Sequence, residues 1–186
     1  MNYGNIKFLD IADGPGIRTS LFVSGCNHHC KGCFQPETWD FGFGKEFTSE
    51  TEQTIIDSLR PAHVNGLTVL GGEPFEPQNQ RVLVGFLKRV REIYPDLSIW
   101  TYSGFTWEEL KGKVPARCRC EVTDEMLSYI DILVDGRFVE SKRNLSLMFR
   151  GSENQRVLDL RKSEAEGVPV MWSGLNDRCG LSQNKQ

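Results

Sequence analysis

The chain has 186 residues, of which 39% are hydrophobic and 25% charged, and these values predict one domain with a sizeable core. The formal net charge of −3 disfavours binding to nucleic acid or to an anionic membrane, because both partners attract positively charged proteins. The sequence shows no signal peptide and no membrane-length apolar run, so we expect a cytoplasmic protein whose six cysteines serve metal binding or reactivity rather than disulfides.

The amino-terminal part of the chain predicts a turn followed by a buried strand. Residues 13–16, with the sequence Asp-Gly-Pro-Gly, require a tight turn. Ile17–Val23 is rich in β-branched and aromatic residues, as expected of a buried strand. Its one charged residue, Arg18, is interpreted either as a surface charge at a strand edge or as a cation near a ligand.

Three cysteines, Cys26, Cys30 and Cys33, follow this strand within one short loop. Thiolates favour soft metals, so the alternatives are an iron–sulfur cluster and zinc. His28 or His29 could complete a Cys3His zinc site, but the C-x3-C-x2-C spacing departs from paired C-x2-C knuckles, and no second knuckle follows. Three ligands on a four-iron cube would leave one iron open as a binding site.

A second glycine-rich turn is predicted after the next helix and strand. Ser49 and Glu52 have the spacing of a helix capping box, and an apolar strand is predicted at residues 67–70. The tetrapeptide Gly71-Gly72-Glu73-Pro74 follows, and its two glycines would let a ligand lie against bare backbone. The alternative role for Glu73 is to cap the helix that comes next.

The remainder of the chain continues this alternation of strands and helices. We predict helices near residues 78–93, 107–110 and 123–130, and strands near 97–102, 132–134 and 157–160. Such alternation is typical of βαβ units with a mostly parallel sheet. A full (β/α) barrel needs about 250 residues, so we predict an α/β fold with a partial, open barrel. Residues 1–160 would form the domain and residues 161–186 a tail.

Three further cysteines lie outside the first cluster. Cys118 and Cys120 fall in a basic stretch, residues 111–121, which we interpret as an exposed loop. With the distant Cys179 they could form a second metal site, although unpaired thiols are the simpler interpretation of a lone C-x-C pair.

The cysteine loop resembles that of the radical S-adenosylmethionine (SAM) superfamily, whose signature is C-x3-C-x2-C followed by an aromatic residue, here Phe34. The resemblance implies a radical SAM type of partial barrel and a [4Fe-4S] cluster ligated by Cys26, Cys30 and Cys33. It implies that SAM binds the open iron and is cleaved reductively to a 5′-deoxyadenosyl radical. The residues implied to line SAM are Gly32, Cys33, Phe34, Gly71, Gly72 and Glu73.

The order of the motifs is similar to that in one family of glycyl-radical-enzyme activases, the activating proteins of anaerobic ribonucleoside-triphosphate reductases. The motifs are D-G-P-G-x-R at 13–18, G-C-x-H-x-C-x-G-C at 25–33, G-G-E-P at 71–74, D-G-x-F at 135–138 and F-R-G-S-x-N-Q-R at 149–156. This resemblance implies that the reductase is a protein substrate, which gains a glycyl radical, and that an electron donor such as reduced flavodoxin takes part. It implies no catalytic residue beyond the cofactor ligands. The alternatives are an activase of the pyruvate formate-lyase type and, from another class, a zinc-binding interaction module.

Overall fold

A computed structural model describes residues 1–175, which contain seven strands and five α-helices. The strands are β1 (Asn2–Asp10), β2 (Ile17–Val23), β3 (Lys45–Glu46), β4 (Val64–Gly71), β5 (Ser98–Tyr102), β6 (Ile132–Asp135) and β7 (Arg156–Asp159). The helices are α1 (Ser49–Ser58), α2 (Pro77–Ile93), α3 (Trp107–Leu110), α4 (Thr123–Ser128) and α5 (Leu160–Glu166), and short 3-10 helices cover Pro36–Trp39 and Glu140–Lys142. Within residues 1–175, no helix combines the length and apolar character that a membrane span requires.

The seven strands form one open sheet in the order β3-β1-β2-β4-β5-β6-β7. The four central strands, β2, β4, β5 and β6, are parallel, whereas β1, β3 and β7 pair antiparallel with their neighbours. The predicted α/β class is confirmed, but the prediction of a mostly parallel sheet is wrong, because three of the six pairings are antiparallel. The connections explain this: the short turn between β1 and β2 and the helix-poor segment 136–155 do not provide the helical crossover that parallel pairing normally uses.

The two faces of the sheet have different coverings. Side chains alternate between the faces, and one set packs with the helices in the main core. That core includes Leu21, Val69, Ile99 and Leu133 from the strands, and Leu83, Phe86 and Leu87 from α2. The other face carries Phe22, Leu70 and Tyr102, which line a cavity. The sheet therefore has one packed face and one face available to a ligand.

Several local predictions are confirmed, but the predicted N-cap of the first helix is wrong. The predicted strand Ile17–Val23 and the predicted helix at residues 107–110 have the expected bounds. The N-cap of α1 is Thr48 rather than Ser49, since the Thr48 hydroxyl accepts a hydrogen bond from the Thr51 N–H at 3.3 Å. A complete capping box occurs instead at α3, between Thr106 and Glu109.

Arg18 is a structural residue of the sheet, and both interpretations drawn from the sequence are wrong. Its side chain is 0% exposed and does not line the cavity. The guanidinium donates hydrogen bonds to the Thr68 hydroxyl at 2.7 Å, to the Leu67 carbonyl at 2.7 Å and to the Ser98 carbonyl at 2.9 Å. Burial lowers the Arg18 pKa to about 10, a value that still leaves the group charged at neutral pH. The hydrogen bonds of the Arg18 guanidinium therefore connect β2 to β4 and β5.

The described part of the predicted tail joins the sheet. The Asp159 N–H donates to the Val170 carbonyl at 2.9 Å, and the Trp172 N–H donates to the Val157 carbonyl at 2.8 Å. The Trp172 ring also lies edge-on to Trp100, with 5.0 Å between ring centroids. This segment covers the edge strand β7, which otherwise would present unpaired backbone groups.

The prediction of an exposed loop at residues 111–121 is wrong at Cys118. That side chain is fully buried in the main core, and the Gln80 amide donates a hydrogen bond to the Cys118 carbonyl at 2.6 Å. Cys120 is half-buried beside the Thr123 hydroxyl. Cys179 lies outside the described residues, so the suggested second metal site is untested.

Candidate active site

A cavity of about 590 Å³ lies against the face of the sheet that the helices leave free. It brings together nearly all of the residues that the sequence singled out for a cofactor, namely Cys26, Cys30, Cys33, Phe34, Gly71, Gly72 and Glu73. Gly32 does not line this cavity, and a β-carbon at this position would lie 3.1 Å from the Glu140 carboxylate. Because the cysteine loop follows β2 and the glycine turn follows β4, parallel pairing of these strands places both at the same edge.

Backbone contacts fix the start of the cysteine loop. The Gly25 N–H donates to the Thr38 carbonyl at 2.8 Å, and the Cys26 N–H donates to the Trp39 carbonyl at 3.1 Å. Farther along, the Cys33 N–H donates to the Cys30 carbonyl at 3.1 Å, which closes a turn. The loop therefore directs all three thiols to one cavity while its backbone is held by the 3-10 helix at Pro36–Trp39.

Burial disfavours the nucleophilic thiolate form of two of the three cysteines. Burial raises the pKa of Cys26 to about 12 and also raises the pKa of Cys30. At neutral pH both thiols would stay protonated without a cation, whereas a metal centre favours the thiolate directly. A sulfur-only donor set of this kind fits an iron–sulfur cluster.

The alternative of a Cys3His zinc site finds little support in the geometry. Across residues 1–175, no three Cys, His, Asp or Glu side chains converge on a position for one metal ion. His28 binds Glu73, and His29 packs on the Trp39 ring with 4.7 Å between centroids. In a four-iron cube each thiolate binds a different iron, so the ligands need not converge on one atom. The arrangement therefore favours a cluster.

Glu73 is buried and fully hydrogen-bonded. It is 1% exposed, and its Oε1 accepts hydrogen bonds from the Phe75 N–H and the Ser103 hydroxyl, both at 2.9 Å. Its Oε2 accepts from the Gly104 N–H at 2.7 Å and pairs with His28 Nε2 at 2.9 Å. The alternative role as a helix cap is wrong, because the N-cap of α2 is Glu76. Glu73 instead connects three chain segments at the cavity.

The two glycines before Glu73 are required by the protein's own backbone. Gly71 has a φ of 105°, and a β-carbon there would lie 2.7 Å from both the N and O atoms of Val23. A β-carbon on Gly72 would lie 2.7 Å from the Gly25 carbonyl oxygen and 3.0 Å from that of Thr38. The sequence interpretation attributed these glycines to space for a ligand. The close approach of β4 to β2 and to the cysteine loop already demands them.

The two motifs in the second half of the chain build the far wall of the cavity. Asp135 is buried, accepts from the Trp107 N–H at 2.7 Å and pairs with Arg156 at 2.5 Å. Gln155 donates to the Gly136 carbonyl at 3.0 Å, and its amide oxygen accepts from the Gly151 N–H at 2.9 Å. These bonds hold the segment 136–155 at the cavity, which sequence reasoning recognised only through the resemblance.

Phe34 lies at the edge of the cavity and is largely exposed. Its ring packs against Phe138, with 5.5 Å between centroids, and the Arg143 guanidinium lies 5.1 Å from the Phe34 ring centroid. The aromatic residue after the third cysteine therefore links the cysteine loop to the segment 136–155 through its ring.

Asp13 lines the same cavity and should make stability depend on pH. Burial, together with the neighbouring carboxyl of Asp10, raises the pKa of Asp13 to about 7 from its ordinary 3.8. The folded protein then binds this proton more tightly than the unfolded chain, so the free energy of unfolding should fall as pH rises from about 4 to about 7. We expect Asp13→Asn to reduce this fall, as measured by urea unfolding of the metal-free protein at pH 5 and pH 7.5.

The control for this prediction is the exposed residue Asp96, whose replacement by Asn should leave the pH dependence unchanged. An identical pH dependence in the wild-type protein and Asp13→Asn would show that the Asp13 carboxyl is not the group responsible.

Comparisons with known proteins agree on one family. A family model described as a 4Fe-4S single cluster domain matches residues 12–158, a range that includes every cavity-lining residue except Lys7. The chain is 41% identical over 159 residues to the anaerobic ribonucleoside-triphosphate reductase-activating protein of Pasteurella multocida, covering 84% of this chain and 96% of that protein. The proteins of the same name from Vibrio cholerae and Escherichia coli K12 are 39% and 38% identical, over 84% and 87% of this chain and 97% and 100% of their own lengths.

Proposed function

The chain belongs to the family of anaerobic ribonucleoside-triphosphate reductase-activating proteins, and we propose that it activates such a reductase by generating a glycyl radical through reductive cleavage of SAM at a [4Fe-4S] cluster. The observation that carries the proposal is the convergence of Cys26, Cys30 and Cys33 on the cavity that also contains the Gly71-Gly72 turn. This makes the protein a radical SAM oxidoreductase of the activase class.

The residues have distinct proposed roles. Cys26, Cys30 and Cys33 would each hold one iron, leaving the fourth iron open to SAM. When bound, the cluster and SAM supply the one-electron chemistry that yields a 5′-deoxyadenosyl radical. The residues proposed to line SAM are Cys33, Phe34, Gly71, Gly72 and Glu73 from the cavity wall, together with Gly32 from the adjoining turn between Cys30 and Cys33. Because the Glu73 carboxylate already accepts four hydrogen bonds, we assign its part to the backbone at this turn.

The walls of the cavity can protect a reactive radical from water. Phe22, Leu70 and Phe149 contribute apolar side chains to the lining, and the half-buried Tyr102 adds an aromatic ring. Exclusion of water prevents side reactions of such intermediates. We propose that the sheet curves as a partial barrel around this space, and that the reductase completes the enclosure by bringing its glycine-bearing segment to the mouth.

The wider setting follows from the same proposal. Residues 1–160 would form the activase domain, with residues 161–186 as a tail. An electron donor such as reduced flavodoxin would reduce the cluster in the cytoplasm, and neither nucleic acid nor a membrane is a proposed partner.

A radical assay tests the proposal directly. We expect the reconstituted, reduced protein to generate a glycyl radical, detected by electron paramagnetic resonance (EPR), only when SAM and an anaerobic reductase are both present. SAM cleavage without the reductase should be slow or uncoupled from glycyl-radical formation, because the open cavity then admits water and no glycine is present to react. The control is a reductase whose radical-bearing glycine is replaced by alanine. Rapid SAM turnover on a small metabolite, with no glycyl radical, would contradict the activase role.

A further inference from the structure

His28 is a buried side chain within the cysteine loop. It lies between Cys26 and Cys30, and its side chain is 2% exposed. The ring packs against Phe105, with 4.4 Å between centroids, and also against the backbone of Gly104, where a β-carbon would come within 2.5 Å of the imidazole. The contacts with Phe105 and Gly104 therefore restrict the imidazole to one orientation.

The polar contacts of the imidazole define the direction of its hydrogen bond. Glu73 accepts from the Phe75 N–H, the Gly104 N–H and the Ser103 hydroxyl, so its carboxylate is the acceptor toward His28 as well. The proton then lies on His28 Nε2, 2.9 Å from Glu73 Oε2. His28 Nδ1 is buried and has no hydrogen-bond partner among the described residues. Among residues 1–175, the polar contact of the imidazole is therefore its hydrogen bond to Glu73.

Through Glu73, the hydrogen bond of His28 is connected to the ends of three strands. Glu73 follows β4, Ser103 and Gly104 follow β5, and the loop that bears His28 follows β2. A carboxylate that binds all three through charge-assisted hydrogen bonds holds them in one arrangement. The position of the loop between Cys26 and Cys30 is thereby linked to the turn after β4.

We propose that His28 is a positioning residue for the cysteine loop: its Nε2–H bond to Glu73 holds the loop against the ends of β4 and β5 and so places the Cys26 and Cys30 thiols. His28 is not itself a metal ligand in this arrangement. The inference rests on the proposed function only for the identity of the centre that the thiols hold. Groups that orient metal ligands typically affect metal affinity by about 10- to 100-fold when removed.

Three substitutions separate the hydrogen bond from the packing of the ring. In His28→Gln the side-chain amide can occupy the Nε2 position and still donate to Glu73. In His28→Asn the amide lies near the Nδ1 position and cannot reach Glu73, and His28→Ala removes both donor and ring. The matched control is His29→Ala, because His29 lies in the same loop but contacts Trp39 instead.

The experiment measures retention of the cluster and the mobility of the loop. We expect His28→Ala and His28→Asn to lose iron to a chelator about 10-fold faster than the wild-type protein, with a broadened EPR spectrum of the reduced cluster. His28→Gln and His29→Ala should behave as the wild-type protein does. In the metal-free proteins, amide hydrogen exchange of residues 26–33 should be faster in His28→Ala and His28→Asn, with unchanged protection of β4 and β5.

Two results would overturn the inference. One is a His28→Ala protein that retains iron and loop protection at the wild-type level. The other is a His28→Gln protein as impaired as His28→Ala, which would show that ring packing rather than the hydrogen bond matters. If the wild-type protein binds no cluster, the proposed function fails, and the exchange of the metal-free loop still decides the role of His28.

Discussion

Replacing any one of Cys26, Cys30 or Cys33 by alanine is expected to abolish the iron–sulfur cluster and, with it, activation of the reductase. The three thiols line one cavity, and each would hold a different iron, so the loss of any one thiol would leave one more iron without a protein ligand. Iron and acid-labile sulfide analysis after anaerobic reconstitution measures the loss directly. The alanine proteins should remain folded, because the backbone bonds that hold the loop do not involve these side chains.

The other described cysteines provide the control for this prediction. Cys120→Ala should retain the cluster and the wild-type stability, since Cys120 is half-buried and does not line the cavity. Cys118→Ala should also retain the cluster but lose some stability, because it leaves a small void in the main core. Loss of the cluster in either protein would mean that the three-cysteine loop is not sufficient to bind it.

Elements with strong local signals could be predicted from the sequence. Ile17–Val23 is rich in β-branched and aromatic residues and is buried on both faces, while the periodicity of α2 places Leu83, Phe86 and Leu87 on the side that meets the sheet. The candidate site was predicted for a related reason. Cys26, Cys30 and Cys33 form a motif of fixed spacing, and such a motif can be recognised in the sequence without knowledge of the fold.

Features that depend on long-range contacts could not be predicted in this way. Strand β1 is only partly buried and shows no simple alternation, so its antiparallel pairing with β2 has no clear local signal. The local sequence makes Arg18 look like a surface charge, because three of its oxygen acceptors come from the distant strands β4 and β5. His28 and Glu73 are 45 residues apart in sequence, and their contact exists only because β2 and β4 are neighbours.

Gly72→Val is expected to destabilise the protein and to disturb the cysteine loop at the same time. The new β-carbon would lie 2.7 Å from the Gly25 carbonyl oxygen and 3.0 Å from that of Thr38, and both are backbone atoms that cannot rotate away. The Gly25 carbonyl accepts from the Glu73 N–H at 2.9 Å, and the Thr38 carbonyl accepts from the Gly25 N–H at 2.8 Å. The substitution therefore displaces the two carbonyls that anchor the residue directly before Cys26.

The loss of stability in Gly72→Val distinguishes two reasons for a glycine at this position, close packing of the backbone and space for the ligand. Overpacking of this kind costs about 1–3 kcal/mol in the free energy of unfolding, and we expect cluster content to fall with it. Urea unfolding of the metal-free protein and iron analysis of the reconstituted protein measure both quantities. The matched control is Gly85→Val on α2, where a β-carbon meets no atom within 4 Å and both quantities should stay near the wild-type values. If Gly72→Val instead keeps its stability and its cluster but loses SAM affinity, then Gly72 is required by the space for the ligand, and the clash with Gly25 and Thr38 is relieved at little cost.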